Sequence, residues 1–228
     1  MKYTLTMAIT GMSVENSVHS QKQKSNLFTC RNQDLKMRLS ENLIRLLINS
    51  PEILPSMKYK NIKLRALEPE DLELLYQWEN NDSYWLISNT VSPFSRYTLK
   101  RYIENSHKDI YETGQQRLMI DHIEDKITIG TIDIFEFDPF HKRAGIGILI
   151  GNESYRRKGY ASMSLTCLIK YSFKTLQLHQ LYCNILANNC ESIDLFKKQG
   201  FVQIGIKKDW IKTSDGYLDE YLFQLINE

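Results

Sequence analysis

Three apolar runs follow one another between Gln115 and Gly151: "QQRLMIDHI", "KITIGTIDIFEF" and "KRAGIGILIG". Their length and their Ile/Thr-rich alternation predict strands, and the turn-forming "DPFHK" folds the third back onto the second. Directly behind them "ESYRRKGYAS" leads through Gly159 into a stretch from Tyr160 to Leu176. There Ala161, Leu165, Leu168, Ser172 and Leu176 recur at steps of three and four, the period of a helix with one apolar face. A meander of strands feeding a helix through one glycine confines the chain to the mixed α/β class.

The flanking segments fit that class. "NIKLRAL" alternates as a strand. "EPEDLELLYQWEN" predicts a helix with Pro69 in its first turn, and "RYTLKRYIENSHKDIY" a second one. After the Tyr160 helix come the strand "HQLYCNIL" and the short helix "CESIDLFKKQ", which Asn189 caps and Gly200 stops. The strands "FVQIGIKKDW" and "YLDEYLFQLIN" close the chain. The expected order is β-α-α-β-β-β-α-β-α-β-β, without internal repeats.

Residues 1–56 read differently. They form an N-terminal extension, polar and partly disordered, with a short helix near 38–49 where Leu39, Leu43, Leu46 and Leu47 share a face. Pro51 and Pro55 break the chain, and Met57 offers a second start, so the main domain is expected over 57–228. Of 228 residues 42% are hydrophobic and 25% charged, which suits a globular protein with its own core. A net charge of +2 speaks against nucleic acid, and no apolar run is long enough to span a membrane. The expected location is cytoplasmic. Four cysteines without C-x-x-C spacing and five scattered histidines supply neither a metal site nor a disulfide framework. No metal is expected.

The segment Arg156-Arg157-Lys158-Gly159 has two readings. Such a basic run is commonly a solvated turn. It is also suited to a phosphate, because the first amides of a helix lack partners, its dipole favours an anion, and Gly159 clears the approach. It is neither a Walker loop nor a dinucleotide fingerprint.

"R-R-K-G-Y-A" resembles the Q/R-x-x-G-x-G/A motif of the GNAT N-acetyltransferase superfamily. "RAGIGILIG" before it and "NNCESIDLFKKQGF" after it resemble that family's other landmarks in order and spacing. From about Ile62 to Gln224 the chain is similar to the spermidine/diamine and ribosomal-protein N-acetyltransferases, and "KLRALEPEDLELLYQWENN" resembles their start. The resemblance implies the GNAT fold, a mostly antiparallel sheet splayed between its fourth and fifth strands with helices on both faces. It implies an N-acetyltransferase using acetyl-CoA, with the backbone of Ile148, Leu149 and Ile150 along the pantetheine arm. Amides from Arg156, Arg157, Lys158, Gly159, Tyr160 and Ala161 would hold the pyrophosphate, and Asn189 and Phe196 would stand beside the cofactor. The backbone of Leu149 is the expected oxyanion donor. Asp133 and Glu136 match acidic positions of the spermidine branch and are the candidates for binding and deprotonating the amine, or else solvated edge acids. Three residues apart, they need a bulge to reach one site.

Two departures stand out. Phe196 occupies the place where many relatives carry a tyrosine that protonates the leaving thiolate, and Gly145 replaces a glutamate of the spermidine enzymes. Tyr182 and Tyr221 are substitute acids. The acceptor readings are a polyamine or diamine, which the acidic Glu70, Asp71, Glu73, Glu79 and Asp82 would suit, a protein N-terminal amine or ribosomal protein, and an amino sugar or other small amine. A homodimer or larger homo-oligomer is expected. The rival reading, which the two departures motivate, is a non-catalytic acetyl-CoA sensor or interaction module.

Overall fold

The computed structural model describes residues 57–227; the expected N-terminal extension, with its helix near 38–49, lies outside the described residues. Eight strands form one sheet: β1 (Lys58–Tyr59), β2 (Ile62–Ala66), β3 (Gln116–His122), β4 (Ile127–Asp138), β5 (Arg143–Ile150), β6 (Gln180–Leu186), β7 (Val202–Thr213) and β8 (Gly216–Ile226). Their spatial order is β1-β2-β3-β4-β5-β6-β8-β7. Every neighbouring pair is antiparallel except β5 and β6. That one parallel pair follows from the helix inserted between its strands, since a crossover is what parallel neighbours require.

The helices are α1 (Leu72–Glu79), α2 (Asp82–Ser88), α3 (Arg96–Glu104), α4 (Ile110–Thr113), α5 (Tyr160–Lys174) and α6 (Cys190–Lys198). On one face of the sheet, Leu165 and Leu168 of α5 and Phe196 of α6 pack with Ile132, Ile146, Leu181 and Phe223. On the other, Leu75 and Trp78 of α1 and Leu99 and Ile103 of α3 pack with Met119. Alternation along each strand is what feeds the two cores separately. Each fully buried Leu, Ile or Phe contributes about 1.5–3 kcal/mol of transfer free energy.

Three local differences from expectation appear in the helices, and two of them have capping residues as their cause. The helix expected over 96–111 stops at Glu104, and Asp109 starts the separate turn α4 by accepting from the amides of Tyr111 and Glu112. The α5 helix ends at Lys174, before Leu176. The α2 helix was not expected; Asn81 caps it through a bond from the Ser83 amide at 3.1 Å. The expected caps of α6 are present, with Asn189 accepting from the Ser192 amide.

Candidate active site

The parallel pair holds for only three residues: Arg143, Ala144 and Gly145 against Gln180, Leu181 and Tyr182. Beyond them β5 stays paired with β4 as far as Ile150, and β6 with β8 as far as Leu186. The strands therefore part, as expected between the fourth and fifth long strands, and each turns one backbone edge into the opening. Such an edge can accept an extended ligand as an added strand.

Which amides face the opening follows from one close contact. The Leu149 carbonyl lies against β4, where a Cβ built on Gly130 falls 2.1 Å from it. In an antiparallel pair a residue turns its N–H and C=O toward the same neighbour, and the next residue turns them away. The Leu149 N–H, expected as the oxyanion donor, is thus directed into the sheet. Ile148 and Ile150 face the opening, and the Ile150 carbonyl accepts from Arg156 Nε at 3.0 Å.

At the end of β5 the chain reaches α5 through Gly159. This residue has φ +84°, where a side chain is strained, and a Cβ there meets only Met163 Cε at 3.8 Å. Backbone conformation, not crowding, asks for glycine. No side chain caps the N-terminus of α5, so its first amides remain directed outward. The cationic side chains around them are engaged. Arg156 bonds the Ile150 carbonyl, Glu153 and the Tyr84 hydroxyl, and Arg157 bonds Glu191 Oε1 at 2.7 Å on the surface. Lys158 Nζ lies 5.4 Å from the centre of the Tyr155 ring. Tyr160 stands edge-on to His122, and Ala161 follows it in the first turn of α5. Asn189 sits as the helix cap already described.

On the opposite face of the sheet Leu149 borders a cleft. Its walls come from Trp78 and Glu79 of α1, Tyr84 and Ile87 of α2, Arg117 of β3, and Asp133 and Phe135 of β4. Arg117, with a side chain 3% exposed, donates Nε and Nη2 to the two oxygens of Asp133 and Nη1 to Glu79. Burial alone disfavours its charge, but Asp133 and Glu79 outweigh that and raise its pKa well above the ordinary value. Burial pushes the nearby Tyr102 phenol up to about 12, despite the opposing charge of Arg117.

The bulge that Asp133 and Glu136 require is present. Phe135 pairs with Gly145 and Asp138 with Arg143, so two residues of β4, Glu136 and Phe137, oppose Ala144 alone. Glu136 takes φ +47° there. The two acids nevertheless serve different partners: Asp133 faces Arg117, while Glu136, exposed, accepts from the Tyr182 hydroxyl. Between them the Phe135 ring covers Gly145, where a Cβ would meet it at 2.0 Å. The glutamate-to-glycine departure is thus filled by an aromatic ring.

The Phe196 side chain has no exposed surface; its ring meets Phe201 edge-on at 5.1 Å. It belongs to the core, which corrects its expected place beside the cofactor: a ring without surface touches no ligand unless the core rearranges. Tyr182 pairs with Gly145 at the last rung before the opening, whereas Tyr221 packs against the core on the α6 side. Of the five acids expected to draw a polyamine, Asp71 is held by Arg65, Glu73 by Arg96 and Glu79 by Arg117. Arg117 itself went unnoticed in the sequence. Its signal was a charge sharing the alternation of Met119, on a side of β3 that had to be covered. Among the described residues no group of three or more His, Cys, Asp or Glu is placed to hold a metal, and no helix is long and apolar enough to cross a membrane.

Comparison with known proteins agrees with this fold. The model of the acetyltransferase (GNAT) domain family matches residues 61–202. Spermidine N(1)-acetyltransferase of Vibrio cholerae serotype O1 is 29% identical over 147 residues, 63% of this chain and 80% of that protein. The Escherichia coli K12 protein of the same name is 29% identical over 144 residues, 62% and 73% of the two chains. Among solved structures, a dodecameric spermidine N-acetyltransferase from Vibrio cholerae superposes with a TM-score of 0.62 at 26% identity, over 74% of this chain and 95% of that one. The Vibrio cholerae enzyme in complex with CoA and spermine gives 0.66 at 24% identity, over 74% and 96%, a likeness of fold. The parted strands, the uncapped helix and these matches lead to one conclusion: the chain belongs to the GNAT acetyltransferase family and is an N-acetyltransferase.

Proposed function

We propose that the chain transfers the acetyl group of acetyl-CoA directly to a primary amine bound in the cleft beside Leu149. The observation that carries this reading is the parting of β5 from β6 after Gly145, with the uncapped start of α5 at its far end. The pantetheine arm lies along the edge of Ile148 and Ile150, and the pyrophosphate meets the amides from Arg156 to Ala161, with Asn189 alongside. The CoA-bound Vibrio cholerae relative has the same fold, which supports acetyl-CoA as donor.

An alkyl amine has a pKa near that of lysine, about 10.4, so it arrives as an ammonium and must lose a proton before attack. Glu79 and Asp133 draw it in, and the proton leaves through them or through water. The neutral nitrogen then attacks the thioester carbonyl, and the oxygen that gains charge is met by the edge amides of Ile148 and Ile150. Collapse, as the attacking nitrogen gives its extra proton to water or to the same acids, expels the CoA thiolate, for which the Tyr182 hydroxyl, hydrogen-bonded to Glu136, is the candidate acid. Burial raises the pKa of the Cys167 and Cys183 thiols, which disfavours an acyl-enzyme on either of them. We read the protein as cytoplasmic, and as a homo-oligomer in view of the dodecameric relative.

The test combines binding and turnover. Acetyl-CoA should raise the melting temperature, since a ligand of the native state stabilises it, and CoA thiol should be released with at least one primary amine. Gly159→Glu puts a side chain and a negative charge where the pyrophosphate approaches and should abolish the shift. A folded Gly159→Glu protein with unchanged affinity refutes the cradle.

A further inference from the structure

The cleft beside Leu149 discriminates between kinds of amine. Its walls are mostly apolar: Trp78, Tyr84, Ile87, Phe135 and Leu149. Its charged groups are few and mutually engaged, with two carboxylates, Glu79 and Asp133, against one guanidinium, Arg117. That sum leaves a single surplus negative charge, enough to balance one ammonium. The next acid along β4, Glu136, is not part of the lining and is turned to the Tyr182 hydroxyl.

We infer that the acceptor is a small primary monoamine borne on an apolar alkyl or aryl group, not a polycation. The inference rests on the acetyltransferase reading above and narrows its acceptor. A second ammonium a few methylenes from the first would lie against Trp78, Ile87 or Phe135 and lose its water without gaining a partner. The aromatic faces offer it little in return. Tyr84 already carries the Arg156 guanidinium 5.1 Å from its ring centre, and the Trp78 ring lies against Gly151, where a Cβ would fall 2.3 Å from it. An alkyl or aryl body instead gains from burial against the same walls. Outside the cleft, Asp71 is buried against Arg65 and Glu73 pairs with Arg96, so neither is a free carboxylate for a second ammonium.

The experiment measures CoA-thiol release by the full chain with 2-phenylethylamine, hexylamine, spermidine and a short peptide with a free N-terminus, alongside the thermal shift by acetyl-CoA. The better apolar monoamine should exceed both spermidine and the peptide in kcat/KM by at least about 10-fold, the scale of pocket discrimination by apolar contact. Ile87→Glu, which adds a carboxylate to the half-buried α2 wall, should move the spermidine-to-monoamine ratio at least about 10-fold toward spermidine. Equal or better use of spermidine or of the peptide by the wild type overturns the inference. So does turnover of neither monoamine while acetyl-CoA still raises the melting temperature. Loss of both binding and turnover removes the acetyl-CoA reading itself, and the inference with it.

Discussion

Arg117 grips Asp133 with two parallel bonds, Nε to Oδ1 at 2.6 Å and Nη2 to Oδ2 at 3.1 Å, under a cover that leaves 3% and 12% of the two side chains exposed. The fork geometry matches both carboxylate oxygens at once. Glu79 takes the remaining Nη1. The pairing holds the floor of the cleft in place by joining α1, β3 and β4, and it makes Asp133 part of a shared charge, not a lone base.

Arg117→Met should therefore cost about 3–5 kcal/mol, because two buried carboxylates are left without their cation. Removing the acids as well tests the cause: in a Glu79→Gln, Asp133→Asn background the same replacement should cost far less, and a mutant cycle by urea melts measures the coupling. Additive losses would mean that the two acids are not what Arg117 supports.

Tyr102 supplies a pH signature. Its folded pKa, about 12, lies above the ordinary 10.0. An acid whose folded pKa is raised contributes stability below its unfolded pKa and loses it as pH rises toward the folded one. The melting temperature should thus fall between about pH 10 and 12, more steeply for wild type than for Tyr102→Phe, which has no phenol to ionise. Parallel curves for the two proteins would contradict the assignment.

Much of this was legible in the sequence, for identifiable reasons. Period-two and period-3.6 patterns gave the seven long strands and α5, and Asn189 and Gly200 bounded α6, because such signals are local. Position-specific landmarks gave the parting strands and the Gly159 turn. The short helix α2 was not read, since seven residues carry too little periodicity and its cap at Asn81 adjoins another asparagine. The Arg117 pairings span 16 and 38 residues of chain, so nothing near Arg117 announces them. Leu149 shows the same limit: landmarks placed the residue, but strand register decides which edge its N–H faces.

Gly145 and Phe135 should behave as a coupled pair. Gly145→Ala drives a methyl into a ring that is itself 2% exposed, and overpacking of this kind costs about 1–3 kcal/mol. In a Phe135→Ala background the space exists, so Gly145→Ala should cost far less. A double-mutant cycle by denaturant melts reads the coupling directly. Additive losses would show that the ring does not set the requirement for glycine.

Positions 196 and 182 compete for one role, the acid that protonates the departing thiolate. From sequence, Phe196→Tyr changes little in packing and restores a family hydroxyl. In the structure the Phe196 ring has no exposed surface, so the added oxygen is buried and, unpaired, costs about 1–3 kcal/mol. It should also bring no gain in rate, because it does not reach the opening. Tyr182→Phe is the reverse case. Its hydroxyl bonds an exposed Glu136 at the last rung before the strands part, so stability and the acetyl-CoA thermal shift should barely change. If Tyr182 protonates the departing thiolate in the rate-limiting step, kcat should fall by about 10²- to 10⁴-fold. Replacing acetyl-CoA by a thioester of a more acidic thiol should then narrow that gap, since a better leaving group needs less help. An undiminished rate in Tyr182→Phe removes Tyr182 as the acid, and a faster Phe196→Tyr enzyme would return the role to the core position.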